Sequence, residues 1–248
     1  INLDTLPTII PMAQQCFNGT AISITLVEGT GTAIAPLTYS IGGAYQSSDT
    51  FTVSSAGPYS LSIRDGNGCL ASTTLDIQTP LLLDANLIQD LTCAIDASVT
   101  LNASGGTGTY TSYEVSFNGG LYAPASAVFS TTTAGIYKFK VIDSQTCEAE
   151  SAEIIVTPNT TPTSAETHVD VTCNGGANGS IVVTAADGIG PYEYSNNNGV
   201  TFQSSNIFGG LIQGTYNIVV RDNKNCVSLA VPVTVDEPLL VNGTGILT

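Results

Sequence analysis

Three stretches of the chain alternate apolar and polar residues with a period of two. In 214–221, Tyr216, Ile218 and Val220 fall on one side and Asn217, Val219 and Arg221 on the other. Tyr59, Leu61 and Ile63 repeat the pattern in 57–64, and Tyr137, Phe139 and Val141 repeat it in 135–143. This is the period of a half-buried β-strand. Each stretch runs into a turn-forming tetrapeptide (DGNG, DSQT or DNKN) and then a cysteine. That order predicts a hairpin whose leading aspartate caps its own turn. Further strands are predicted at 21–27, 97–103 and 179–185, each followed by a glycine-containing turn. After these come a strand carrying Tyr39, Tyr113 or Tyr194, a Gly/Asn hairpin, and a strand around Phe51, Phe129 or Phe208. A last strand closes each set at Pro80, Pro158 and Pro238. No segment stands out with the 3.6-residue period of an amphipathic helix.

The strands keep step with the cysteines. Cys16 and Cys69, Cys93 and Cys147, and Cys173 and Cys226 are separated by 53, 54 and 53 residues. Successive first cysteines lie 77 and 80 residues apart, a spacing that marks tandem modules. Gly57/Tyr59, Gly135/Tyr137 and Gly214/Tyr216 stand at a fixed distance before each second cysteine, and Asp65, Asp143 and Asp222 stand four before it. The organisation expected is repeat 1 at 1–80, repeat 2 at 81–158, repeat 3 at 159–238, and the start of a following repeat at 239–248. The chain would then be a segment of a longer array. Six or seven short antiparallel strands per repeat predict an all-β fold of tandem immunoglobulin-like β-sandwiches, arranged end to end. One disulfide within each domain is expected: Cys16–Cys69, Cys93–Cys147 and Cys173–Cys226. Closing each such loop would contribute about 4 kcal/mol in the chain-entropy model. Zinc is the competing use of cysteine, but the chain has neither CxxC spacing nor histidines beyond His168.

Composition narrows the function. The formal net charge is −15, with 20 acidic residues against five basic ones. Phosphate binding needs clustered Lys and Arg, so nucleic acid is excluded as a partner, as is docking on an anionic membrane surface. No apolar run reaches the length of a membrane span. All five basic residues (Arg64, Lys138, Lys140, Arg221 and Lys224) fall inside the three cysteine-terminated stretches. Four of them are out of phase with the core residues, which predicts a positive outer face on each sandwich. Structural disulfides place the chain in an oxidising, extracellular setting.

The third repeat carries a family resemblance. CNGGANGSIVVTAADGIGPYEYSNNNGVTFQSSNIFGGLIQGTYNIVVRDNKNCV, residues 173–227, resembles the SprB-type repeat of Bacteroidota gliding-motility adhesins. The shared marks are the Cys-Asn-Gly opening, Pro-Tyr-x-Tyr-Ser, the Phe-Gln hairpin, Leu-x-x-Gly-Thr-Tyr and Val-x-Asp-x-x-x-Cys. Repeats 1 and 2 keep the cysteines, Gly-x-Tyr and Asp, but open CFNGTA and CAIDAS. The resemblance implies a very long adhesin exported by the type IX secretion system to the cell surface, with these repeats forming its extended body or filament. The alternatives are an array of polysaccharide-binding modules and a non-catalytic spacer of a secreted enzyme.

Candidate chemistry is sparse, and no enzyme activity is expected. His168 has no counterpart in the other repeats, and Asp187 and Glu193 flank a turn rather than a cleft. GTGT (29–32) and GGTGT (105–109) read as turns, because no helix follows them to supply a phosphate-binding N-terminus. The Gly-x-Tyr tyrosines read as tyrosine corners. Tyr45, Tyr110, Tyr122 and Tyr192 are candidates for stacking on sugars. No cofactor is expected. Asp84, Asp90, Asp170, Asp236 and Glu237 are candidate calcium ligands near the repeat boundaries, where hard oxygen donors gather. The partners expected are neighbouring repeats of the same chain, surface polysaccharide and other adhesin chains.

Overall fold

The computed structural model describes residues 9–10, 16–28, 33–241 and 243. Every regular element among them is a β-strand. The 29–32 turn, and all of 244–248, lie outside the described residues, and 239–241 form no strand.

The chain forms two compact units. One comprises 1–86, 99–129 and 136–154; the other comprises 87–98, 130–135 and 155–248. The sandwich is plainest in the second unit. One of its sheets orders Thr163–Val169, Gly179–Ala186 and Ile207–Leu211; the other orders Glu193–Ser195, Gly214–Arg221 and Val231–Val235. All the strand pairs are antiparallel. Ile181, Val183, Phe208 and Leu211 from the first sheet meet Ile218, Val220, Val233 and Val235 from the other, with Val171 beside them. The alternation in 214–221 therefore does what its period requires, and Ile218 and Val220 are fully buried.

The first unit contains the equivalent arrangement. Ile22–Thr25 pairs with Thr50–Val53, and Thr38–Ser40, Gly57–Arg64 and Leu70–Ile77 form the facing sheet. Phe17, Ile24, Leu26, Val53, Leu61, Ile63 and Ile77 fill the space between them. In the same unit, Tyr110–Phe117 pairs with Ala123–Ala125 and with Gly135–Asp143, and the last of these pairs with Glu148–Glu150. Phe139 and Val141 are fully buried there, and Phe129 packs its ring edge on Phe139 with 5.4 Å between centroids. The all-β, immunoglobulin-like expectation holds.

One expectation about the strands needs correcting. Val219 sits on the polar side of the alternation yet is 3% exposed. A second layer covers that face. The chain from Asn196 to Gln203 folds across it, bridging Tyr194 to Gln203, and a Cβ on Gly199 would lie 3.9 Å from Val219. Tyr39 and Gln46 make the same bridge in the first repeat.

The disulfides also need correcting. The bonds are Cys16–Cys147 and Cys93–Cys226, while Cys69 and Cys173 are free thiols. No first cysteine bonds the second cysteine of its own repeat. Each of the two bonds joins a first cysteine to the second cysteine of the next repeat, over 131 and 133 residues. Each bond lies within one compact unit.

Candidate functional site: the Asp–Cys hairpin and its socket

The most regular feature of the chain is the hairpin leading to each second cysteine. In Asp222–Cys226, the Asp222 side chain accepts the Lys224 and Cys226 N–H groups on one oxygen, both at 2.8 Å. Its other oxygen accepts the Ile189 N–H at 2.9 Å. Asp143 repeats this with Gln145 at 2.9 Å and Cys147 at 3.0 Å, and with Thr107 at 3.1 Å. Asp65 does so with Asn67 at 3.0 Å and Cys69 at 2.8 Å, and with Ile34 at 3.4 Å. One carboxylate thus shapes the hairpin, fixes the cysteine backbone and ties both to the loop after the second strand. All three aspartates are buried. Burial by itself would raise the Asp143 carboxyl. The N–H groups of Cys147, Thr107 and Gln145, with the Thr107 hydroxyl, outweigh it and hold the carboxyl below the usual aspartate value.

The glycine-rich loop of 105–109 is shaped to this carboxylate. Gly106 has φ +57°, and a Cβ there would stand 2.6 Å from Asp143 Oδ2. Gly106→Ala is therefore expected to destabilise by about 1–3 kcal/mol, from both the backbone conformation and the displaced carboxylate. A urea midpoint equal to wild type would refute that placement.

The socket that receives the hairpin is seen best around Cys93. Asp90 Oδ1 accepts the Leu91 N–H at 2.8 Å and the Thr157 N–H at 3.1 Å. Asp90 Oδ2 takes the Thr157 hydroxyl and meets Lys224 Nζ at 3.0 Å. Lys224 also donates to the Thr157 hydroxyl and to the Thr157 carbonyl at 3.0 Å. The Cys93 N–H donates to the Lys224 carbonyl at 3.1 Å, beside the disulfide. Burial opposes ionisation of Asp90, but the Thr157 hydroxyl and Lys224 prevail and keep its carboxyl low. Lys224 was expected only to lie in the turn. It is 9% exposed and acts as the polar core of this junction. Its position two residues after the hairpin aspartate is readable; its partners, 66 residues or more away, are not.

The other sequence candidates are occupied separately. Tyr59 and Tyr216 donate to the carbonyls of Ser55 and Ile212, four residues back, as tyrosine corners. Tyr137 is buried against Phe117 and Phe129. Gly57 and Gly135 take φ of +132° and +155°, whereas Gly214 has no positive φ. The four tyrosines proposed for sugars are half-buried. Tyr110 and Tyr192 donate to the Gly105 and Asp187 carbonyls, Tyr122 donates to Glu150, and Tyr45 accepts from Ser62. Asp84 accepts from Asn86, Asp170 from the Asp236 N–H, and Glu237 from Asn174 and Gly175. Among the described residues, no three His, Cys, Asp or Glu side chains cluster as a metal site. Asp187 accepts from Thr163, and His168 lies 3.6 Å from Asp170.

The expected positive face is neutralised from within. Arg221 pairs with Glu193 and lies 4.1 Å over the Phe202 ring. Arg64 covers Tyr45 at 4.2 Å, and Lys140 sits by Tyr122 at 4.8 Å while pairing with Glu114 and Glu148. Lys138 pairs with Glu150. These cations lid the aromatic second layer rather than forming a free basic stripe. Arg221→Ala is expected to cost about 0.5–1.5 kcal/mol, measured by thermal unfolding, with Arg221→Lys recovering part of it.

A cleft of about 310 Å³ opens beside this second layer, lined by Tyr194, Asn196, Phe202, Gln203 and Phe208 among others. Its space is sugar-sized and its lining joins aromatic rings to amide groups.

Comparison with known proteins gives one sequence match. The SprB repeat family matches residues 165–201, so the third repeat carries a SprB-type repeat. No curated protein matches the chain. Among solved structures, the N-terminal eight Ig domains of Down Syndrome Cell Adhesion Molecule align over 94% of this chain and 36% of that one, at 11% identity and a TM-score of 0.32. A C-terminal intimin fragment, solved with the intimin-binding domain of its translocated receptor, aligns over 64% and 57% at 17% identity and 0.34. The Bacteroides ovatus glucan-locus protein SGBP-B, solved with a mixed-linkage heptasaccharide, aligns over 93% and 70% at 14% identity and 0.20. The chain spans less than two thirds of the first two of these chains, and scores this low carry no functional weight. The SprB repeat and the disulfides suit an extracellular or cell-surface chain. No helix among the described residues is long and apolar enough to cross a membrane.

Proposed function

We propose that a chain bearing this SprB-type repeat serves as a structural and adhesive segment of a very long bacterial surface adhesin, of the gliding-motility kind secreted by the type IX route, and forms part of an extended stalk or filament. It is not an enzyme in this reading. The observation that carries it is the staggered disulfide. A bond from one repeat to the next makes each repeat's attachment covalent at two points, the peptide chain and the sulfur bridge, which suits transmission of pulling force. Solution scattering tests the shape: three sandwiches in line, their longer strands running ~8–11 residues at ~3.3 Å each, would reach on the order of 80–110 Å. A compact particle would sink the reading.

A second reading is favoured by the Phe202–Tyr194 cleft, whose aromatic and amide lining suits a polysaccharide. It predicts binding on a glycan array at millimolar ligand that Gln203→Ala and Phe202→Ala weaken. Silence across the array would dispose of it.

A further inference from the structure

The two free thiols stand at positions equivalent to the two sides of the bonded junctions. The Cys93 socket consists of an aspartate three residues before the cysteine, whose Oδ1 accepts the N–H of the residue just after the last buried strand valine: Asp90 to Thr157, after Val156. The third repeat builds the same arrangement with its own residues. Asp170 stands three before Cys173, and its Oδ1 accepts the N–H of Asp236, just after buried Val235, at 2.9 Å. Cys173 is exposed beside it, and Glu237 is folded onto the Gly175 N–H at 2.7 Å. At the other half, Cys69 ends a hairpin already set by Asp65 as Asp143 and Asp222 set theirs. The counterparts of Cys173 (Cys16 and Cys93) and of Cys69 (Cys147 and Cys226) are all disulfide-bonded, always first cysteine to second cysteine of the following repeat.

We infer that the Asp170–Cys173–Asp236 face is a docking socket for the Asp-x-x-x-Cys hairpin of another module of this type, and that a Cys173 disulfide seals it. The Cys69 hairpin is the complementary plug. Formation of the bond joins two thiol sulfurs and releases two protons and two electrons to an oxidant such as glutathione disulfide. The acidic rim of Asp170 and Asp236 favours a hairpin with lysine two residues after its aspartate, as Lys224 has and as Asn67 lacks. Because plug and socket are different surfaces, the contact is heterologous and builds open chains rather than closed pairs. Such chaining needs no adhesive role for the protein.

The test uses the full chain as its own probe. It is held at high concentration in a glutathione redox buffer, and disulfide-linked peptides are mapped without reduction. Head-to-tail Cys173–Cys69 links should dominate and give a ladder of linear oligomers. Cys69→Ser and Cys173→Ser should each abolish the ladder. Asn67→Lys should speed linkage by about 2–5-fold, and Asp170→Asn should remove that gain. Four results would overturn the idea. One is Cys69–Cys69 and Cys173–Cys173 links making up half of all links, as random collision gives. Another is a monomer keeping both thiols free. A third is Cys69 bonded to Cys16. The last is an Asn67→Lys chain that links no faster.

Discussion

Replacing Cys93 and Cys226 together with serine is expected to remove about 5 kcal/mol of stability, the chain-entropy value for a closed loop of this length. The bond spans 133 residues and ends on a Cys226 that is fully buried. For a unit of this size the thermal midpoint should fall by roughly 20–30 °C under non-reducing conditions. Wild type in reductant should lose at least as much. Single substitution sharpens the result, because Cys93→Ser must release one thiol. The staggered pairing releases Cys226, whereas pairing within the repeat would release Cys147. Alkylation and peptide mapping read this directly, and alkylated Cys147 in that variant would contradict the structure. The Lys224–Asp90–Thr157 network should survive in part, since none of its hydrogen bonds uses sulfur.

Asp143→Ala is expected to be nearly as damaging, at about 3–5 kcal/mol. The side chain is 1% exposed and is the acceptor for three backbone N–H groups, from Thr107, Gln145 and Cys147. Deleting it strands these donors in a site with little water, at about 1–3 kcal/mol for each one left buried and unsatisfied. The hairpin would loosen at the residue that carries the Cys16 bond. Asp143→Asn keeps the shape but turns an N–H toward some of these donors, so its cost should be intermediate. The charge gives a further signature. The folded-state pKa is depressed, so this stabilisation is present in full above the unfolded value, about 3.9, and is lost as pH falls through the lower folded value. The gap in unfolding midpoint between wild type and Asp143→Asn should therefore hold at neutral pH and close below about pH 4. The general easing of repulsion as a chain of net charge −15 is acidified affects both proteins alike. A gap unchanged down to pH 2 would show that the carboxylate's charge is not what holds the hairpin.

Much of this was legible because it is local. Strand alternation in 57–64, 135–143 and 214–221 reports which side faces the core, and the cores are built from those residues. Asp four residues before Cys is a turn signal, and all three hairpins obey it. The tyrosine corners of Tyr59 and Tyr216 also close within four residues. What failed was long-range. Val219 reads as outward, because covering it depends on a loop some twenty residues earlier in the chain. Arg64, Lys140 and Arg221 read as a basic face, because the aromatic rings and carboxylates that absorb them come from other strands.

The sequence by itself determined the period, the strand faces, the three Asp–Cys hairpins and the SprB-type character of the third repeat. The tertiary structure alone decided which cysteine meets which. Spacing cannot decide it: loops of ~53 and ~130 residues differ in closure cost by only about 0.8 kcal/mol, and both patterns repeat with the same period. A disulfide needs its two Cα atoms within about 7 Å. That proximity, 5.3 Å for Cys16–Cys147 and 4.9 Å for Cys93–Cys226, comes from each hairpin seating against the preceding repeat, which no residue pattern within a single repeat encodes.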